Sequence, residues 1–396
     1  MSAETNQRLV RAGFDSHKTQ HTMVLLGPDG CPYGKETEIP NTRKAFECVR
    51  AAIDDAMART GAQGVSIGVE ATSFYHLNLV SELAPYYKDI RVYNPKLLCV
   101  RRREVRDKKN DHKDALKIAW AMREGVPGSM PYGNLPLMEV QELCRFQSRM
   151  VKDRSNLKKR FLRNLHVLCP GYDKVVRPVF ARNSTRLLEK YPSAEAIRGA
   201  SLTELKAITL QHGKYGLRDE TIQKLLDLAR GVPDCPYYRS ALLVEQRMLL
   251  KRILSLDREL KTVGNNIKAR WRELDMHPRY FRIDGFDIDY AITIYTETGD
   301  LTRFPPVHKF IGFLGLDPWT KRTDDKVSYG RLTKMGSRYA REALGNAVVA
   351  MRKSTPMVKA TWDHAEARGR KYRERMVICM RKLARVMWGM ENHPQA

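Results

Sequence analysis

Long apolar runs, paired cysteines and internal repeats are all missing from this chain of 396 residues. No stretch approaches the roughly 20 apolar residues of a membrane-spanning helix, so no such span is expected. The seven cysteines (Cys31, Cys48, Cys99, Cys144, Cys169, Cys235 and Cys379) are scattered, and no two form a CxxC pair. That argues against a zinc site and a disulfide framework, and leaves them as small buried or half-buried hydrophobes. The first residues, MSAETNQRLVRAGFD, lack the basic-then-apolar layout of a secretion signal, which makes a cytoplasmic protein the expectation. No low-complexity tract occurs, and 42% of the residues are hydrophobic, so the chain is not one that stays unfolded.

Acids are also scarce. Against 70 Lys and Arg stand 45 Asp and Glu, a net charge of +25. The bases cluster, most densely at residues 101–109 and 152–163, and clustered excess of this kind is the electrostatic footprint of a nucleic-acid binder. Arg101, Arg102, Arg103, Arg106, Lys108 and Lys109 form one candidate phosphate-binding set. Lys158, Lys159, Arg160 and Arg163 form a second, and Arg331 and Lys334 a third.

The chain divides into three stretches by pattern. Residues 1–130 read as α/β, with a strand through RAGFDS, a second strand closed by the turn PDG, a helix over 43–59, and strands GVSIGVE and DIRVY. Residues 131–275 read as helical, with one long basic helix from about 136 to 168 and another from about 240 to 271. On the second, Leu242, Leu249, Ile253, Leu256, Leu260, Val263 and Ile267 alternate at three and four residues, broken only at Gln246. That is a heptad seam, the pattern of a coiled coil or long helical hairpin. A small helical insert fills 170–235. Residues 276–396 read as mainly helical, interrupted by the polar, basic, glycine-containing segment WTKRTDDKVSYGRLTKMGS. Gly285 in IDGF marks either a helix entry facing a phosphate backbone or an ordinary tight turn.

Four acids stand out against the basic background. Asp15 lies in an early strand and Glu70 at the end of a later one, while Asp111 and Asp114 sit one helical turn apart. Converging acids repel unless a cation lies between them, and hard oxygen ligands suit Mg²⁺ or Mn²⁺. Such ions polarise a phosphodiester, and the adjacent bases would hold the strand being cut. His17 and His112 flank these acids as possible phosphate contacts.

The motifs GFDSHK, GVEATSFYH and KNDHKDALKIA resemble the Asp-Glu-Asp-Asp signature of the insertion sequence 110 family of transposases. The similarity continues through CRFQSRMVKDRSNLKKRFLRNL, the insert beginning YPSAEAI, and TGDLTRF, FIGFLGLDP and GRLTKMGSRYAREAL. The resemblance implies a ribonuclease-H-like, RuvC-like metal-binding catalytic domain over 1–130 and a coiled-coil middle over 131–275. It implies a mainly α C-terminal transposase domain over 276–396, which carries the nucleophile loop. It further implies a DNA recombinase, in some members guided by a bridge RNA that the element encodes, with assembly through the coiled coil into a dimer or tetramer. The family's nucleophilic serine follows GLxP; here Thr323 stands at that position and Ser328 follows it in sequence. Threonine offers the same hydroxyl but its methyl crowds attack. Both residues therefore stay candidates, alongside a protein that binds nucleic acid without transposing and a metal-dependent nuclease that hydrolyses with water. Trp319 either stacks on a base or anchors the segment.

Overall fold

The computed structural model describes residues 8–70, 74–93, 111–125, 130–131, 135–210, 216–233, 237–323 and 326–393. It forms two compact units, residues 1–135 and 136–396.

In the first unit, β1 (Leu9–Ser16) is buried along its whole length, as expected of a central strand covered on both faces. A short turn reverses the chain into β2 (Gln20–Leu26), antiparallel to β1 with Asp15 opposite Thr22, and β3 (Thr37–Pro40) continues that direction of growth. Helix α1 (Arg43–Thr60) follows. Thr42 caps its first turn through the amide of Ala45, and Gly61 ends it at φ 62°, a conformation glycine adopts without Cβ strain. Phe46, Val49, Ile53 and Ala56 recur at helical spacing and bury one stripe. β4 (Gly64–Glu70) then returns parallel to β1, and after α2 (Leu77–Leu83) β5 (Ile90–Tyr93) pairs parallel to β4. Helix α3 (Asp111–Arg123) precedes the two-residue edge strand β6 (Met130–Pro131), giving the order β3-β2-β1-β4-β5-β6.

The second unit is mostly helical. Helices α4 (Leu135–Leu168) and α5 (Tyr172–Val175) lead into α6 (Arg182–Lys190), α7 (Ala194–Arg198), α8 (Leu202–Leu210) and α9 (Asp219–Gly231). The long helix α10 (Arg239–Glu273) then runs back antiparallel to α4. The pairing is written in cross-helix contacts: Arg270 meets Glu139, Arg154 meets Asp257 at 2.7 Å, and Arg160 meets Glu245 at 2.8 Å. Of the residues expected to form the seam, Leu249, Ile253, Leu260 and Ile267 are buried and Leu242, Leu256 and Val263 half-buried. Gln246 is not a break in that seam. It is 1% exposed, and neither side-chain amide atom finds a hydrogen-bond partner. Phe161, Leu165, Leu187, Ile222 and Leu225 join Leu249, Leu250 and Ile253 in one core, so the insert packs onto the end of the helix pair.

At the other end of the pair, Trp271 stacks on Phe281 at 5.4 Å, and Arg145 of α4 donates to Glu297 at 2.5 and 3.0 Å. Glu297 belongs to α11 (Ile288–Thr298), which is followed by α12 (Val307–Phe313). Next comes a β-hairpin, β7 (Pro318–Thr323) and β8 (Lys326–Leu332). The chain ends in α13 (Arg338–Met351), α14 (Pro356–Ala367) and α15 (Tyr372–Asn392).

Two expectations change here. The polar, basic segment expected to hold the nucleophile loop is a hairpin, because Trp, Thr, Val and Tyr favour a pleated strand despite the interspersed charge. Pro356 opens α14 from its first turn, where a missing N–H costs nothing. Cys31 and Cys48 are exposed, whereas Cys144, Cys169 and Cys379 are buried as free thiols. Gly285 lies in a tight turn at φ 76°, and Asp287 caps the helix after it through the amide of Asp289. That helix start already holds acid, so the turn reading fits better than a bare anion site. Among the described residues no helix is long and apolar enough to cross a membrane.

Candidate functional site

The acids of the first unit are positioned by glycine. Gly13 of β1 and Gly68 of β4 face each other directly across the parallel ladder. A Cβ on Gly13 would stand 2.2 Å from the carbonyl oxygen of Ala115, and one on Gly68 would stand 2.7 Å from Ile118 and 2.8 Å from Met122. Helix α3 therefore lies in a shallow seat cut by the two glycines, closer to the sheet than any side chain would allow. Met122 also touches Ser66, two residues earlier on β4 than Gly68. Moving forward along α3 thus means moving backward along β4, so the start of the helix overlies the C-terminal ends of β1 and β4. Asp15 and Glu70 are two residues past the paired glycines, hence on the same face of the sheet. Asp114 sits in the first turns of the helix, immediately before Ala115.

Asp15 is 5% exposed and Asp114 8% exposed. Each has a basic side chain beside it: His17 lies 3.3 Å from Asp15, and Lys117 lies 3.2 Å from Asp114. Glu70 is half-buried, and of Asp111 and His112 the backbone alone is described. Among the described residues no three His, Cys, Asp or Glu side chains stand close enough to hold one ion. The chemistry of the set still suits a hard cation, since acids gathered at one sheet end are costly without positive charge between them.

On the reverse face of β1 lies a group that the motifs did not disclose. Ser16 is opposite His21, whose ring packs 5.8 Å from Phe46 of α1, and His76 lies within electrostatic reach of His21. Both imidazoles are buried, and burial pushes both down to about 4, aided at His21 by His17 and at His76 by His21. They are neutral at pH 7.

The hairpin of the second unit stands on a close-packed base. Gly315 has φ 65°, and a Cβ on Gly336 would lie 1.7 Å from the carbonyl oxygen of Phe313. The Thr333 amide donates to Asp317 at 2.9 Å, and Arg341 donates to the carbonyls of Gly336 and Leu314 at 2.7 and 3.0 Å. Thr323 is the last residue of β7 and pairs with Lys326, while Ser328 pairs with Lys321. Neither hydroxyl residue lies in a loop; both sit in the ladder near the hairpin's tip.

Residues 12–170 match the transposase family model for the Asp-Glu-Asp-Asp domain of IS110 elements. Residues 279–363 match the model described as the transposase IS116/IS110/IS902 family. The chain belongs to the IS110 family of transposases. It is thus an enzyme of DNA recombination, and a domain of this four-acid type implies dependence on a divalent metal. A curated relative, the insertion element IS110 uncharacterized 43.6 kDa protein of Streptomyces coelicolor, is 22% identical over 288 residues, covering 71% of this chain and 70% of the relative.

The basic residues of the transposase divide by surroundings. Arg101, Arg102, Arg103, Arg106, Lys108 and Lys109 lie outside the described residues. Arg160 and Arg163 are drawn to Glu245, at 2.8 and 3.6 Å, and Lys158 lies 4.8 Å over the ring of Phe180. Those three contact neighbouring side chains of the second unit, although Arg160 and Arg163 are themselves exposed. Lys159, Arg331 and Lys334 are exposed.

Proposed function

We propose that this transposase cuts and rejoins DNA at element ends and targets, using Asp15, Glu70, Asp111 and Asp114 to hold Mg²⁺ or Mn²⁺ and a hydroxyl of the hairpin as nucleophile. The observation that carries the reading is the seating of α3 across Gly13 and Gly68, which brings the start of the helix over the strand ends bearing Asp15 and Glu70. A central strand flanked by an antiparallel pair on one side and parallel neighbours on the other supports a ribonuclease-H-like, RuvC-like assignment for this domain.

Bound metal would supply charge neutralisation at the phosphodiester and at the leaving oxygen. The protein's own part is to fix the acids on two sheet strands and the helix seated on them, to hold the DNA backbone with exposed basic side chains, and to present Thr323 or Ser328. The hydroxyl oxygen would bond to phosphorus as the bond to the leaving DNA oxygen breaks, its proton passing to solvent. Reversal by a second strand's hydroxyl rejoins DNA without an external energy source. The division at 1–130, 131–275 and 276–396 belongs to the same proposal, with acids in the first part, assembly into a homo-oligomer through the middle, and the nucleophile in the last. So does guidance by a structured bridge RNA, which the net charge of +25 would hold as readily as DNA.

The test is a cleavage reaction with Mg²⁺, element-end DNA and the element's own transcript, read on a denaturing gel for protein–DNA adduct. Wild type should give an adduct that Thr323→Ala, Ser328→Ala or their combination abolishes. An adduct that survives in the double variant sinks both assignments, and cutting with no adduct moves the reaction to hydrolysis by water.

A further inference from the structure

Trp319 is the most conspicuous residue of the hairpin that the proposed chemistry leaves idle. Its side chain is 56% exposed, a large apolar surface to leave in water unless it has a partner. It does not anchor the base of the hairpin, which is closed by backbone contacts between the Phe313–Gly315 and Lys334–Gly336 segments.

The ladder shows how Trp319 is held out. Pro318 pairs with Leu332 and Thr320 with Tyr329, so the single residue Trp319 stands opposite two, Gly330 and Arg331. This is a β-bulge, a device that bends a strand and re-aims a side chain. A Cβ on Gly330 would lie 3.3 Å from Cε3 of Trp319, so the indole ring comes close to the Gly330 backbone, where no side chain intervenes. The arrangement gives a broad aromatic side chain a fixed support of minimal bulk.

The charge around it names the partner. The two strands carry Lys321, Arg322, Lys326 and Arg331, and Lys334 follows at the base. A cationic two-stranded ribbon pairs with phosphates, and an exposed indole offers a face to a base that has left its stack.

We propose that Trp319 is a stacking platform for an unpaired DNA base, which would hold the strand in register along the hairpin. The inference rests on the reading of this hairpin as the part that handles DNA, and it asks nothing of the metal site. An unpaired base is the expected substrate feature because a paired one has no free face.

The test uses the full chain and a short single-stranded DNA, with a fully paired duplex of the same sequence for comparison. Wild type, Trp319→Ala and Trp319→Phe are compared by anisotropy of the labelled DNA and by quenching of intrinsic tryptophan fluorescence. Trp319→Ala should weaken single-strand binding roughly tenfold, duplex binding should move by less than about twofold, and Trp319→Phe should restore most of the loss. The quenching seen with wild type should largely vanish in Trp319→Phe, although four of the five tryptophans remain. Thermal unfolding should not change, since the side chain is exposed. Unchanged single-strand affinity in Trp319→Ala overturns the proposal, as does equal loss on both DNA forms. Quenching by structured RNA but not by single-stranded DNA overturns the choice of DNA. A wild type that binds neither DNA form removes the DNA-handling reading itself, whereas binding without cleavage in wild type leaves stacking standing and indicts only the proposed chemistry.

Discussion

Asp15 and Asp114 expose 5% and 8% of their surface, while Trp319 on the hairpin exposes 56%. Asp15 sits on a buried central strand and Asp114 on the helix seated against that strand's backbone, whereas the hairpin exposes Trp319 and Arg331. Charges that must share a small cation need fixed geometry, and fixed geometry comes from close packing. Groups that must meet a long polyanion need reach and exposure instead. Changes at the two places should therefore fail differently: at the sheet, chemistry and folding suffer; at the hairpin, affinity and strand preference suffer.

The sharpest way to break that contrast is to remove charge without removing shape. Asp15→Asn and Asp114→Asn should each lower DNA cleavage by about a thousandfold or more, because a metal-held carboxylate supplies several kcal/mol of charge stabilisation. Melting temperature and DNA affinity should stay near wild type. Cleavage within about tenfold of wild type in either variant would take that acid out of the metal set.

Next in size is the glycine seat. Gly13→Ala puts a methyl 2.2 Å from the backbone oxygen of Ala115, with no flexible atom to yield. It should cost about 3 kcal/mol of stability, at the top of the range for overpacking, and also displace the start of α3. Gly330→Ala on the hairpin meets Trp319 at 3.3 Å and should cost less than about 1 kcal/mol. Chemical denaturation of both variants decides it, and equal losses would mean that the sheet is no more tightly packed than the hairpin.

A third difference concerns pH. His21 and His76 are held near 4 in the fold, against an ordinary 6.5. Between those values the unfolded chain binds more protons than the folded one, so stability rises with pH there. Their contribution is intact above about pH 6.5 and is lost as pH falls toward 4, on the order of 2 kcal/mol per imidazole between pH 7 and pH 5. Unfolding followed from pH 7 to pH 5 should show the decline, and His76→Asn should roughly halve it. A flat profile would mean the two rings reach water.

The elements that carry the candidate acids were largely readable because that logic is local. Asp15 and Glu70 end apolar strands, and Asp111 and Asp114 open an apolar-periodic helix. The repeated pattern Gly-x-acid in GFD and GVE was also present and marks the seat directly, although its meaning depends on the two strands being paired. The short edge strands β3 and β6 were missed, having four and two residues and too little length for alternation to register. The buried imidazole pair escaped for another reason: His21 and His76 meet only through the fold, while His17 and His112 attracted notice merely by lying beside acids. Gln246 looked like an interruption because a polar residue in a seam is expected to face out. Its burial without a partner shows that neighbouring apolar contacts outweigh the cost of that amide.

The smallest expected effects separate bases that are available to phosphate from bases already engaged. Arg331 and Lys334 are exposed on the hairpin, so each replacement by Gln should lower the slope of log affinity against log salt by about 1 and weaken DNA binding a few-fold, whatever the sequence. Arg160 and Arg163 lie 2.8 and 3.6 Å from Glu245, which also accepts from Asn164 at 2.9 Å. A cation partly neutralised by a carboxylate displaces less of the counterion atmosphere, so Arg160→Gln should change the slope by less than about half as much. Removing one arginine also leaves Glu245 held by the other and by Asn164, so little stability should be lost. Salt titrations of the three variants give the answer. Equal slopes for Arg160→Gln and Arg331→Gln would show that DNA strips Glu245 from its partners, which would make the outer surface of the helix pair a DNA-binding face of the same rank as the hairpin.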